Sequence, residues 1–254
     1  MADTPKRPPR FDLASADRKS GRLVQIGGTA VVVLFAVALV FYIVTSHQKK
    51  VAAASAGDTV RVTSSKLVTQ PGTTTPKAVV AIYEDFLCPA CGNFERNYAP
   101  TVSKLIDIGA IAADYSMVAI LDKPRNQNYS SRAGAAAKCV ADESIDAFRR
   151  FHSMLYSTSN QPSEIGASFP DNARLIELAR EAGAAGKVPD CINSGKYLPA
   201  VSGEAATAGI SGTPTIKING ADYEPTTPEA LVAKVKEIVG DIPGIDTAVT
   251  RPAA

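Results

Sequence analysis

Histidine is nearly absent from this chain of 254 residues, with only His47 and His152. The four cysteines form one close pair, Cys88 and Cys91, and two isolated residues, Cys139 and Cys191. A structural zinc site usually draws four ligands, from two C-x-x-C pairs or from one pair and two spaced histidines. Neither set can be assembled here, and no methionine or histidine stands near the pair to make a soft-metal carrier. No metal and no cofactor are expected. Basic residues are also scarce where a nucleic-acid surface would need them. Residues 1–56 hold eight Lys or Arg against three Asp or Glu, and residues 57–254 hold nineteen against twenty-two. The larger part is therefore slightly acidic, which argues against a nucleic-acid partner. There is no internal repeat. The 45% apolar content is enough for a globular core.

One long uncharged run is present. LVQIGGTAVVVLFAVALVFYIV, residues 23–44, is long enough as a helix to cross a bilayer core of roughly 30 Å. Lys6, Arg7, Arg10, Arg18, Lys19 and Arg22 precede it, against Lys49 and Lys50 just after, so the positive-inside rule leaves residues 1–22 in the cytoplasm. Ala54-Ser55-Ala56 before Gly57 carries the small residues that a signal peptidase accepts. The run exceeds the roughly 7–15 residues of a signal core, however, and reads as a retained anchor. On either reading the rest of the chain is exported, and the expected location is a single-pass cell-membrane protein with an extracytoplasmic domain.

Residues 45–76, rich in Ala, Ser, Thr and Gly, read as a linker with a short strand at 59–68, where Val60 and Val62 alternate with polar residues. KAVVAIYE (77–84) suits a buried strand, and Cys88 opens a helix running past Tyr98, with a bend or break expected at Pro100. Residues 111–120 read as a second strand. Helical patterns fill 130–209, with Asp171 as an N-cap before Leu175, Ile176, Leu178 and Ala179. TIKI (215–218), an Asn219-Gly220 hairpin signal and a helix capped by Thr227 with Pro228 at its first position complete 210–240. The tail, 241–254, reads as loosely ordered. The order is β–α–β, a helical insertion, then β–β–α.

The stretch YEDFLCPACGNFE, residues 83–95, carries the chemistry. A bridge across two intervening residues restrains the unfolded chain little, so scaffolding is a poor use for it. At a helix N-terminus, the dipole and free N–H groups instead favour a thiolate at the first cysteine. That makes Cys88 the attacking thiolate and Cys91 the buried resolving thiol. YEDFLCPAC together with GISGTPTIKING (209–220) resembles the active-site helix and cis-proline loop of the DsbA-like branch of the thioredoxin superfamily, in particular its membrane-tethered mycobacterial members. Segments 136–157 and 191–200 resemble that branch's helical insertion.

The resemblance implies an α/β thioredoxin-like fold with an inserted helical domain, here behind one N-terminal transmembrane helix. It also implies a cis-proline at Pro214, preceded by Thr213, packed against the cysteine pair. The activity implied is thiol–disulfide exchange, with reduced exported proteins as substrates and a quinone-linked membrane reoxidant of the DsbB or vitamin K epoxide reductase type as partner. Many relatives carry a buried acid six residues before the first cysteine, where this chain has Ile82. Glu84 and Asp85 are nearer candidates for proton transfer, although acids at a strand end are more often solvated. Ala90, where the best-known oxidising relatives carry histidine, offers no charge and points to a milder oxidant.

Cys139 and Cys191 are expected to form a structural disulfide, because an even cysteine count in an exported domain favours pairing. His152, beside Phe148, Phe151 and Leu155, reads as packed or half-exposed rather than catalytic. Only 32 residues, 45–76, separate the apolar run from the first strand. They are too few for the added dimerisation domain of the related isomerases, so a monomeric domain is expected. The same fold could run the reaction as a reductase, or keep only a metal-carrying or peptide-binding role.

Overall fold

The computed structural model describes residues 59–250. The expected transmembrane segment and the first part of the linker, 45–58, lie outside the described residues. Among the described residues, no helix is long and apolar enough to cross a membrane.

A five-stranded sheet in the order β1-β3-β2-β4-β5 forms the frame. Its strands are β1 (Val60–Val62), β2 (Val79–Glu84), β3 (Ala112–Met117), β4 (Thr215–Ile218) and β5 (Ala221–Tyr223). The central β2 and β3 run parallel, with Ile82 opposite Tyr115, and β4 pairs antiparallel with β2, with Ile82 opposite Ile216. Parallel neighbours need a crossover, which is α1 (Pro89–Asp107). β4 and β5 turn through Asn219 and Gly220, both at positive φ (51° and 85°), the backbone that a two-residue hairpin requires. The edge strand β1 is shorter than expected. Arg61 fixes it to β3 with a two-point contact to Asp114, Nε to Oδ1 at 2.7 Å and Nη2 to Oδ2 at 2.6 Å.

Between β3 and β4 stand α2 (Tyr129–Glu143), α3 (Ile145–Leu155), α4 (Asn172–Glu181), α5 (Val188–Ser194) and α6 (Leu198–Ala208). Local chemistry starts several of the helices. Ser144 caps α3 by accepting from Ala147 N–H at 3.2 Å, and Asp171 caps α4 by accepting from Arg174 N–H at 2.9 Å. α7 (Pro228–Val239) opens as expected, with Thr227 accepting from Ala230 N–H at 3.1 Å. The apolar stripes of these helices meet the sheet in one core around Phe86, Phe148, Phe151, Leu155 and Leu105.

Two expectations are corrected. α1 runs unbroken through Pro100. Proline removes one donor, but Tyr98, Thr101 and Val102 around it are buried, and that packing holds the helix across the missing bond. The tail is also anchored. Ile245 and Ala248 are buried, and Thr250 N–H donates to Thr101 Oγ1 at 3.0 Å while that hydroxyl donates back to the Thr250 carbonyl at 3.2 Å.

Candidate active site

The strand period brings the first acid into the core. Along β2, Val80, Ile82 and Glu84 face inward together, because successive side chains alternate. Glu84 and the following Asp85 are both 0% exposed, which corrects the expectation of solvated acids at this strand end. The two have different surroundings. Asp85 clamps the backbone: Leu87 N–H donates to Oδ1 and Leu121 N–H to Oδ2, each at 2.9 Å, and Cys88 N–H donates to the Asp85 carbonyl at 2.9 Å. Burial still pushes its carboxyl up to about 6. Glu84 points to the thiols and the core.

Cys88 is the N-cap residue of α1, with Pro89 at the first helical position. Cys88 is 7% exposed and Cys91, almost one turn on, 0%; both carry free thiols. The Thr213–Pro214 peptide is cis, and Cys88 Sγ lies 3.4 Å from the Thr213 carbonyl oxygen, to which it can donate only while it is protonated. Four of the expected residues, Cys88, Cys91, Thr213 and Pro214, are thus brought together from the two sides of the helical insertion.

The two thiols diverge in acidity. Cys88 is drawn down to about 5, chiefly by the hydrogen bond from the Cys91 thiol, with the Thr213 side chain and the N–H groups of Cys91 and Ala90 assisting against burial. Ala90 has no charge to offer, but its amide reaches the sulfur. Cys91 moves far upward because of burial, then its bond to Cys88 and the neighbouring Glu84 carboxyl. One sulfur is therefore a thiolate at neutral pH and the other keeps its proton, as an attacking and a resolving thiol require.

Sequence reasoning missed two further features. Gln161 donates through Nε2 to the carbonyls of Cys88 at 3.0 Å and Phe86 at 3.3 Å. It can come this close because position 92 is glycine: a Cβ there would stand 2.0 Å from Gln161 Oε1. No local pattern signals a contact between residues so far apart in sequence. The second feature is a buried polar cluster. His152 is 4% exposed and is not an isolated core residue. Its Nε2 makes a short contact with Glu84 Oε1, and its Nδ1 lies 3.7 Å from Glu95 Oε2. Burial raises Glu84 and Glu95 and lowers His152, so the cluster holds its protons on the carboxyls.

Donor atoms of Glu84, Glu95 and His152 lie within 4.8 Å of one another. The imidazole turns a different nitrogen to each carboxyl, so the ring stands between the two acids. Cys139 and Cys191 are bonded, with Cα atoms 5.8 Å apart, a normal span for a disulfide. The bridge ties α2 to α5, neither of which carries the redox pair.

The thioredoxin family pattern matches residues 68–237. A crystal structure of reduced DsbA from Mycobacterium tuberculosis is 71% identical, with a TM-score of 0.75 over 76% of this chain and 98% of that one. The chain belongs to the thioredoxin family, in its DsbA-like branch. A second solved relative, described as the reduced form of the disulfide bond oxidoreductase DsbG of M. tuberculosis, is 70% identical, with a TM-score of 0.78, covering 81% of this chain and all of that one. This DsbA-like chain is also 32% identical over 154 residues to the serine/threonine-protein kinase PknE of M. tuberculosis. It spans 27% of the kinase's length, about a quarter of the curated relatives it matches. As a DsbA-like protein it is a thiol–disulfide oxidoreductase, and the thiol pair described above is where such chemistry can occur.

Proposed function

We propose that the protein is a membrane-anchored disulfide donor that acts outside the cytoplasm on reduced exported proteins. The observation that carries this reading is the asymmetry of the pair, an acidic Cys88 at the rim of the fold and a proton-holding Cys91 behind it. In the oxidised enzyme a substrate thiolate attacks Cys88 Sγ, the Cys88–Cys91 bond breaks, and its electron pair leaves on Cys91 Sγ. Glu84, protonated through burial, supplies the proton that this buried sulfur needs. The substrate's second thiolate then attacks the substrate sulfur of the mixed disulfide. A substrate disulfide forms and Cys88 leaves as the thiolate that its surroundings stabilise.

A low Cys88 pKa favours the reduced enzyme, which makes its disulfide a ready oxidant of others. The backbone at Thr213, next to Cys88, offers an extended substrate segment a place to pair. Turnover needs a reoxidant, and the family resemblance favours a quinone-linked membrane protein of the DsbB or vitamin K epoxide reductase type. The uncharged run at 23–44 supports anchoring beside such a partner, and the short linker supports a monomeric domain.

The test compares two assays with the oxidised protein: disulfide formation in a reduced, unfolded substrate, and reshuffling of a scrambled one. The proposal expects the first to be accelerated much more than the second. Efficient unscrambling without net oxidation would favour an isomerase or reductase instead.

A further inference from the structure

Breaking the Cys88–Cys91 bond leaves charge on a sulfur that is sealed from water, and remaking it requires that same sulfur to lose its proton. Glu84 can exchange that proton once, but Glu84 is itself 0% exposed. Glu84 recovers that proton only when the pair is reoxidised, and until then it stands as a buried carboxylate, a state that burial disfavours and that a proton arriving from solvent by another path would relieve.

The structure contains one such path. Glu84 contacts His152 Nε2, and the other ring nitrogen of His152 lies 3.7 Å from Glu95 Oε2. The Glu84 and Glu95 carboxyls also interact directly. Beyond them, a cavity of about 240 Å³ lies between α1 and α3, lined by Glu95, Arg96, Tyr115, Arg149, His152 and Ser153. Ser153 is exposed and Arg149 is 28% exposed, so the cavity wall reaches the surface. Its inner wall is formed by the two cluster members farthest along the path from Cys91. The cavity is large enough for several waters.

We propose that Glu95 and His152 relay the Cys91 proton between Glu84 and solvent through this lateral cavity, away from the face where Cys88 meets substrate. The proposal rests on the redox reading above. Its advantage is access: substrate covering Cys88 and Thr213 would close the front of the site at the moment when Cys91 must gain or lose a proton. A neutral imidazole suits the task, because it can accept on one nitrogen while giving up a proton from the other. Glu84 Oε2 and the Tyr156 hydroxyl have no hydrogen-bond partner of good geometry, although the hydroxyl is near enough to ease the Glu84 charge, so this oxygen is the one available for exchange with Cys91.

The groups facing this chain come from every neighbouring element. They are Asp85 beyond β2, Cys88 and Cys91 at the head of α1, Arg96 farther along it, Tyr115 on β3, and Arg149 and Tyr156 on or just after α3. Arg96 is held by the Tyr156 carbonyl at 2.9 Å and Arg149 pairs with Asp107 at 2.9 Å, so neither cation is positioned to neutralise the cluster. Burial therefore favours the protonated form of both carboxyls. Glu95 and His152 act through Glu84 and are positioning and relay residues.

The experiment uses the full-length protein in detergent. The rate at which dithiothreitol reduces the Cys88–Cys91 disulfide is followed against pH for wild type, Glu95→Gln, His152→Gln and His152→Ala. Glu95→Gln keeps the shape of the side chain but cannot carry a proton. The relay predicts a rate lower by on the order of tenfold, a flattened pH profile, and recovery as imidazole is added, since a small diffusible acid can enter the cavity. Recovery should be largest in His152→Ala and absent in wild type. Melting curves separate misfolding from slow transfer, and Glu95→Gln tests the path if His152→Ala does not fold. Wild-type rates and profile in Glu95→Gln and His152→Gln would overturn the relay, as would a loss that no concentration of imidazole restores. If the wild type itself failed to exchange thiols, the redox reading would fall instead.

Discussion

Replacing Cys91 with alanine removes the group that contributes most to the acidity of Cys88. In the native protein the Cys88 thiol falls from an ordinary 9.0 to about 5. The hydrogen bond from Cys91 is the largest contribution, ahead of the Thr213 side chain and the two amides at the start of α1. A hydrogen bond to a charged group is worth about 1.5–3 kcal/mol, or roughly one to two pH units. Cys88 in Cys91→Ala should therefore titrate at about 6–7. Cys139 and Cys191 are bonded to each other, so Cys88 is the one free thiol of the variant, and its alkylation rate with iodoacetamide against pH reports it directly. The sign follows from the direction of the shift. A depressed thiol stabilises the reduced fold fully above 9, its unfolded value, and that contribution is lost as pH falls through about 5. The oxidised fold has no thiolate and shows no such window. In the variant the lower edge of the window should move up to about 6–7. An alkylation midpoint still near 5 would show that the helix start alone sets the acidity, and would refute the role given to Cys91.

Other expectations follow from the packing. Converting both Cys139 and Cys191 to serine opens a cross-link between residues 52 apart. The loop-entropy relation puts the loss at about 4 kcal/mol, measurable by denaturant unfolding, while thiol exchange at Cys88 should persist. An unchanged midpoint would mean that the bridge contributes nothing. Gly92→Ala should push Gln161 off the Cys88 carbonyl and cost about 1 kcal/mol. A double-mutant cycle with Gln161→Ala should show the two losses overlapping, and simple additivity would contradict that coupling. Glu84→Gln should slow reduction of the disulfide without preventing Cys88 alkylation, and an unaltered reduction rate would remove Glu84 from the proton exchange.

Much of the frame was legible because local rules and tertiary packing agree. The β-branched run at 79–82, the caps at Asp171 and Thr227, and the Asn219-Gly220 turn each state their structure within a few residues. The polar cluster was legible in part and was missed. Glu84 follows Val80 and Ile82 at the strand period, Glu95 follows Cys91 by one helical turn, and His152 follows Phe148 by one turn. Each is a polar residue in core phase, and reading acids at a strand end as solvated obscured the first. That three such positions meet at one point is a property of the packing, which no single element encodes. Gln161 belongs to the same class: glycine at 92 permits the contact but does not predict it. Pro100 shows the reverse, since a strong local breaker was overridden by buried neighbours on both sides.

The central claim is that this thiol pair donates disulfides, and its most direct test is the equilibrium of Cys88 and Cys91 in a glutathione buffer. Thioredoxin, with its attacking thiol near 7 and a potential of about −270 mV, gives the reference. Lowering that thiol to about 5 favours the reduced form at pH 7 by roughly 2.3 kcal/mol, or about 50 mV. The account therefore predicts a potential of about −220 mV or higher. A value at or below that of thioredoxin would contradict it and make the protein a reductant.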